Sequence, residues 1–100
     1  MELLEVFKAL SNETRLQIVQ WLKNPEVHFP KPQHGDIHKD GVCVSDIQKK
    51  VGLSQSTVSL YLSMLQNAGL IKAKRVGQWT YYKRDEENIQ KLLELLSRDL

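Results

Sequence analysis

One hundred residues, 41% of them hydrophobic, fit one small domain (1–100) with enough apolar material for a core and too much for disorder. A net charge of +2 says little alone, but Lys72, Lys74, Arg75, Lys83 and Arg84 crowd one short segment, making a local positive field that the sum conceals. No apolar run approaches the ~18 residues of a membrane span, the amphipathic start MELLEVFKAL is not a signal peptide, and a lone Cys43 excludes an intrachain disulfide framework or all-cysteine zinc site, so a cytoplasmic protein is expected.

Leu3, Val6, Phe7 and Leu10 recur at helical spacing and predict a first helix over 2–10. A second periodic run over 13–24 carries Leu16, Ile18, Val19 and Leu22, with Trp21 adding bulk. Ser11 and Thr14 are both candidate starts; Ser11 is preferred because Glu13 follows where an acidic residue favours a helix N-terminus. Asn24-Pro25 ends the run. Residues 25–42 have no period and hold every proline and every histidine, with Gly35 and Gly41. They read as a long inserted loop, of the kind that is functional or disordered.

Residues 44–51 predict a short helix with Ser45 as its cap, Val44, Ile47 and Val51 as its apolar side and Gly52 as its end. Leu53 then leads to Ser54, an N-cap for the next helix, whose Val58, Leu62 and Leu65 form one buried stripe before Gly69 stops it. Two helices joined by a tight turn containing glycine describe a helix-turn-helix. The first turn of the second helix is small and hydrogen-bonding: Ser54, Gln55, Ser56, Thr57, then Ser59. Such an end fits deep in a groove, its free N–H groups and dipole favour phosphate, and Gln and Ser are among the side chains that read base edges. Ile71 to Val76 alternates apolar and basic residues, Gly77-Gln78 turns the chain, and Trp79, Thr80, Tyr81 and Tyr82 are strand formers. This predicts a two-stranded hairpin with Lys74, Arg75 and Gln78 flanking its tip. Asp85-Glu86-Glu87 opens a last helix whose Ile89, Leu92, Leu93, Leu95 and Leu96 exceed what one small domain must cover. A dimer seam with the first helix, through Leu3, Leu4, Phe7, Leu92, Leu93 and Leu96, is the economical account; packing onto the domain is the alternative.

Helices, a helix-turn-helix and a basic hairpin, in the order α-α-α-α-β-β-α, make a mainly α winged helix-turn-helix. At this point the residues resemble the ArsR/SmtB-type bacterial repressors. ALSNETRLQIVQWL is similar to their second-helix signature, and SQSTVSLYLSMLQNAGLI followed by GQWTYYKR is similar to their recognition helix and wing. The match runs from 3 to about 96, interrupted by 25–42. The resemblance implies a homodimer through the first and last helices, a palindromic double-stranded DNA operator, and release by a metal ion or thiol-reactive inducer. Carried over by position, Ser54, Gln55, Ser56, Thr57, Ser59 and Tyr61 lie in or beside the major groove. Gln55 and Ser56 are the expected base contacts, Ser54 and Thr57 phosphate contacts. Lys74, Arg75 and Gln78 touch backbone or minor groove, and Lys49 and Lys50 add to the field. The chain departs from the family at Tyr61, where a histidine is usual, and at Leu60, where a polar or basic residue is common. Leu60 either packs on a thymine methyl or is an exposed leucine.

The family's metal segment E-L-C-V-C-D-L reads Gly41-Val42-Cys43-Val44-Ser45-Asp46-Ile47 here, with one thiol where soft ions want two or three. The family's other site, on the last helix, lacks a histidine. The inserted loop offers His28, His34, Asp36, His38 and Asp40, then Cys43, as candidate ligands for zinc or a similar transition-metal effector; the alternative is a solvated polar loop. Cys43 is either a thiol switch at a helix N-terminus or a small core residue. A winged-helix interaction module that reads no DNA is the competing function. No catalytic constellation stands at useful spacing, so no enzyme is expected.

Overall fold

A computed structural model describes residues 1–32 and 35–100. Three helices open the chain: α1 (Leu3–Leu10), α2 (Glu13–Lys23) and the single turn α3 (Pro25–His28). A two-residue strand, β1 (Val42–Cys43), leads directly into α4 (Val44–Val51) and then α5 (Gln55–Asn67). The long strands β2 (Ile71–Val76) and β3 (Trp79–Arg84) follow, and α6 (Glu86–Asp99) closes the chain. The sheet is antiparallel in the order β1-β3-β2, with Val42 opposite Tyr82, and Ala73 opposite Tyr82 from the other side.

The periodic positions supply the core. Val6, Ile18, Ile47, Val58, Leu62, Leu65, Leu70 and Ile71 are essentially inaccessible, so each helix of the first five except the short α3 gives the core at least one of its predicted apolar positions, whereas Phe7 of α1 and Leu16 of α2, expected on those apolar faces, are 41% and 40% exposed. The end of α5 shows why Gly69 stands where it does. Its φ is +83, and the N–H groups of Gly69 and Leu70 donate back to the carbonyls of Gln66 and Leu65, both at 3.0 Å. That pair of bonds satisfies carbonyls the helix would otherwise leave open, in a left-handed conformation that glycine takes freely.

The structure corrects several sequence expectations. Residues 25–42 are not devoid of regular structure: Pro25 starts α3 at its first position, where a missing N–H costs nothing, and Val42 and Cys43 pair with β3. The sheet therefore has three strands, and the element order gains one helix and one strand. Ser11 does not cap α2. Its hydroxyl donates back to the Phe7 carbonyl, and the Asn12 side chain accepts from Arg15 N at 3.0 Å instead. α4 spans 44–51 as expected, but Ser45 does not cap it: Cys43 holds the N-cap position, fixed in an extended conformation by its pairing with Tyr81. Leu92 is 8% exposed and belongs to the protomer's own core, so it is removed from the exposed α6 face that Leu93 occupies.

Candidate nucleic-acid interface

α4 and α5 are joined by Gly52, with φ +76, and Leu53, which bring Ser54 to the N-cap of α5. Ser54 accepts from Thr57 N at 3.2 Å, its hydroxyl donates to Thr57 Oγ1 at 2.9 Å, and Ser56 Oγ lies 3.3 Å away. The cap is thus a small hydroxyl network that holds the first turn in place. Ser54, Gln55, Ser56 and Ser59 are exposed, whereas Thr57 is half-buried within that network. Opposite them, Val58, Leu62 and Leu65 anchor α5 in the core. The helix is seated on one side and offers short polar groups and free N–H donors on the other.

Tyr61, expected in or beside the groove, makes a contact that the sequence did not anticipate. Its half-buried ring lies 5.0 Å beneath the Arg15 guanidinium. Arg15 itself is 9% exposed and donates to the carbonyls of Ala9 at 2.7 Å and Lys8 at 3.2 Å, closing the end of α1. Tyr61 is therefore one face of a packed cation–π joint between α2 and α5. Arg15 was not singled out in the sequence; a buried guanidinium facing an aromatic from a distant helix leaves no local signal.

The basic residues fall into two groups. Arg75 and Gln78 stand exposed at the wing, with Arg75 Nε donating to Gly77 O at 3.1 Å. Lys49 is exposed in the last turn of α4 and lines, with Cys43, Asp46, Trp79 and Tyr81, an open concavity of about 370 Å³. Four other cations are engaged. Lys50 Nζ lies 5.1 Å over the Trp21 ring, Lys74 meets Asp40 at 2.6 Å, Lys83 donates to Lys39 O at 2.9 Å, and Arg84 pairs with Glu86 at 2.8 Å. Of the wing lysines, Lys74 thus has part of its charge already balanced.

Asp40 is the joint behind that pairing. It is 8% exposed, and its other carboxylate oxygen accepts from Asp36 N at 2.9 Å. The Lys74 ammonium, then the Asp36 N–H, hold its carboxyl below the usual carboxylate range. Asp36 is lowered likewise by N–H groups of Lys39 and His38, which donate to it at 3.0 and 2.8 Å. Both carboxylates named as candidate ligands are thus spent on folding the turn that carries the inserted segment to β1. His28 packs against Trp21 at 6.3 Å, His38 faces Glu26 at 3.8 Å, and His34 lies outside the described residues. Cys43 is buried in β1 with Ser45 Oγ at 3.4 Å from its sulfur. Among the described residues, no group of three or more His, Cys, Asp or Glu is placed to hold a metal ion. Tyr81 beside it is buried, which raises its phenol above the ordinary value and keeps it neutral.

The first and last helices leave an apolar surface uncovered: Leu4 is 60% exposed, Phe7 41% and Leu93 52%, with Leu3 and Leu96 half-buried at its edge. No helix among the described residues is long and apolar enough to cross a membrane.

Comparison with known proteins agrees with this architecture. A family model described as bacterial regulatory protein, arsR family, matches residues 40–73, the stretch from Asp40 through the helix-turn-helix into β2. An uncharacterised HTH-type transcriptional regulator of Bacillus subtilis is 57% identical over the whole of both chains. The arsenical resistance operon repressor of the same organism is 30% identical, over 87% of this chain and 70% of that one. Among solved structures, a homodimeric winged helix-turn-helix DNA-binding domain from Mycobacterium bovis, described as a possible ArsR-family transcriptional regulator, superposes with a TM-score of 0.65. It is 30% identical and the match covers 93% of this chain and 72% of that one. These relatives are transcriptional regulators, a non-enzymatic class. With its helix-turn-helix, three-stranded winged sheet and full-length relative, the chain belongs to the ArsR family of winged helix-turn-helix, DNA-binding transcriptional regulators.

Proposed function

We propose that the chain is a homodimeric repressor that reads a palindromic operator with α5 and steadies itself on the phosphates with the wing. The observation that carries this is the exposed, capped first turn of α5, where Ser54, Gln55, Ser56 and Ser59 are solvent-accessible above a fully buried stripe. Gln55 and Ser56 read base edges, Ser54 and Arg75 position the protein on the backbone, and Lys49 and Gln78 add contacts. Two copies joined through Leu4, Phe7 and Leu93 place their α5 helices in successive major grooves, about 34 Å apart. The function is binding, not catalysis, and a small effector would act by changing the affinity of this dimer for DNA.

The test is a fluorescence titration of a duplex from the region upstream of the chain's own gene, repeated at several salt concentrations. Gln55→Ala relaxes preference at one position of each half-site, a loss of about 1–3 kcal/mol confined to the matched sequence. Arg75→Ala weakens every duplex alike and lowers the salt slope by about 1 per contact. Repeating the titration with zinc, copper, arsenite or a thiol oxidant tests for an inducer. Absence of salt-sensitive, sequence-dependent binding would refute the reading and leave a protein-docking module.

A further inference from the structure

We infer that Leu60 is a specificity-determining residue that reads thymine, seating its side chain against the C5-methyl group of one T in each operator half-site. This rests on the reading of α5 as the helix that enters the major groove. Leu60 is 58% exposed, while Val58, Leu62 and Leu65 of the same helix are at most 1% exposed. At about 100° per residue, Leu60 falls on the side of α5 opposite that stripe. It sits one turn beyond Ser56 and one turn before Ser63, with Ser59 beside it, and all three serines are exposed. The leucine is thus the tallest group on the outward line of α5, because the longer Tyr61 is turned aside beneath Arg15. No other large apolar side chain of α5 is exposed.

A helix that brings its small first turn into the groove carries Leu60 to the base edges one turn further along. Most of the groups there are hydrogen-bond donors or acceptors, and the thymine methyl is the one projecting apolar group. A leucine over N7, O6, O4 or an exocyclic amine strips water from a polar group and returns no bond. Against the methyl it buries apolar surface on both partners. The chemistry therefore selects an A·T pair with its methyl toward Leu60, a preference that depends on the methyl group itself rather than on a hydrogen bond to the adenine.

The experiment selects duplexes from a random library with the wild-type protein, then replaces each thymine of the selected site in turn by uracil, which lacks only the methyl. Uracil at one position is expected to weaken wild-type binding by about fourfold per half-site, the effect of one buried methyl group. Leu60→Ala, a substitution favourable in an exposed helix position, is expected to lose a similar factor on the thymine duplex and to be indifferent to uracil. If every uracil duplex binds the wild type equally well, or if Leu60→Ala remains as sensitive as wild type, the inference is overturned while α5 stands as the reading helix. If no sequence is selected at all, the assignment of α5 fails first and Leu60 with it.

Discussion

Gly41→Ala should be the most disruptive single-methyl addition in the chain. Gly41 has φ +103, and a Cβ there would overlap the Tyr82 carbonyl oxygen, with the carbonyl carbon at 2.6 Å and Lys83 Cβ at 3.1 Å. Gly52 makes a control, since its φ is +76 and a Cβ would meet nothing within 4 Å. Both substitutions share the strain of a left-handed alanine, about 1–2 kcal/mol. Only Gly41 adds an overlap with backbone, which cannot rotate aside. Relief requires β1 to move off β3 and loosens the pairing of Val42 and Cys43 with Tyr82 and Tyr81. Each hydrogen bond lost there is worth roughly 1 kcal/mol. Gly41→Ala is therefore expected to lose about 3–5 kcal/mol and Gly52→Ala about 1–2, against a total of about 5–15 for a domain of this kind. At about 4–8 °C per kcal/mol, the first lowers Tm by at least 12 °C or so and the second by roughly half as much or less. Circular dichroism melts and urea titrations, at one fixed protomer concentration because assembly shifts Tm, measure both. If the two variants unfold within about 1 kcal/mol of each other, close packing of the 35–41 turn on β3 is not what holds the inserted segment.

Three further outcomes are expected. Asp40 has the lower pKa in the folded state, so its contribution is complete above the unfolded carboxylate value near 3.9 and disappears as pH falls through the depressed folded value. Asp40→Asn should accordingly show a flatter acid limb than wild type below about pH 4 in pH-dependent urea unfolding, with parallel behaviour at neutral pH; identical acid limbs would show that Lys74 does not stabilise this carboxylate. Ser54→Ala removes the cap oxygen that Thr57 N donates to, and should cost about 1 kcal/mol of stability while reducing DNA affinity on every sequence; unchanged melting would mean that water replaces the cap. Phe7→Glu places a charge on the exposed α1 surface, and sedimentation should find monomers with weakened operator binding; a persistent dimer would put the seam elsewhere.

Where local signals were read correctly, their partners lie within one or two turns. Ser54 caps α5 three residues ahead of the N–H it binds, and Asp85 accepts from Asn88 N at 3.1 Å to open α6. The stripes of α2, α4 and α5 repeat at the helical period, so Ile18, Ile47, Val58, Leu62 and Leu65 declare their burial one by one. Competition between two adjacent capping residues is harder, and Asn12 prevailed over Ser11 because the serine hydroxyl bonded backward into α1.

The amino-acid sequence by itself determined the helices other than the single turn α3, the turn between α4 and α5, the glycine stops and the polar first turn of α5, since each follows from bonds between near neighbours. Only the tertiary structure decided that Cys43 belongs to a strand, that Tyr61 supports Arg15, and that Lys74 is balanced by Asp40. Those contacts join residues far apart along the chain, and no period or spacing encodes them. A strand of two residues carries no alternation to detect, and a long-range ion pair or stacked guanidinium is defined by which surfaces the packed core brings together.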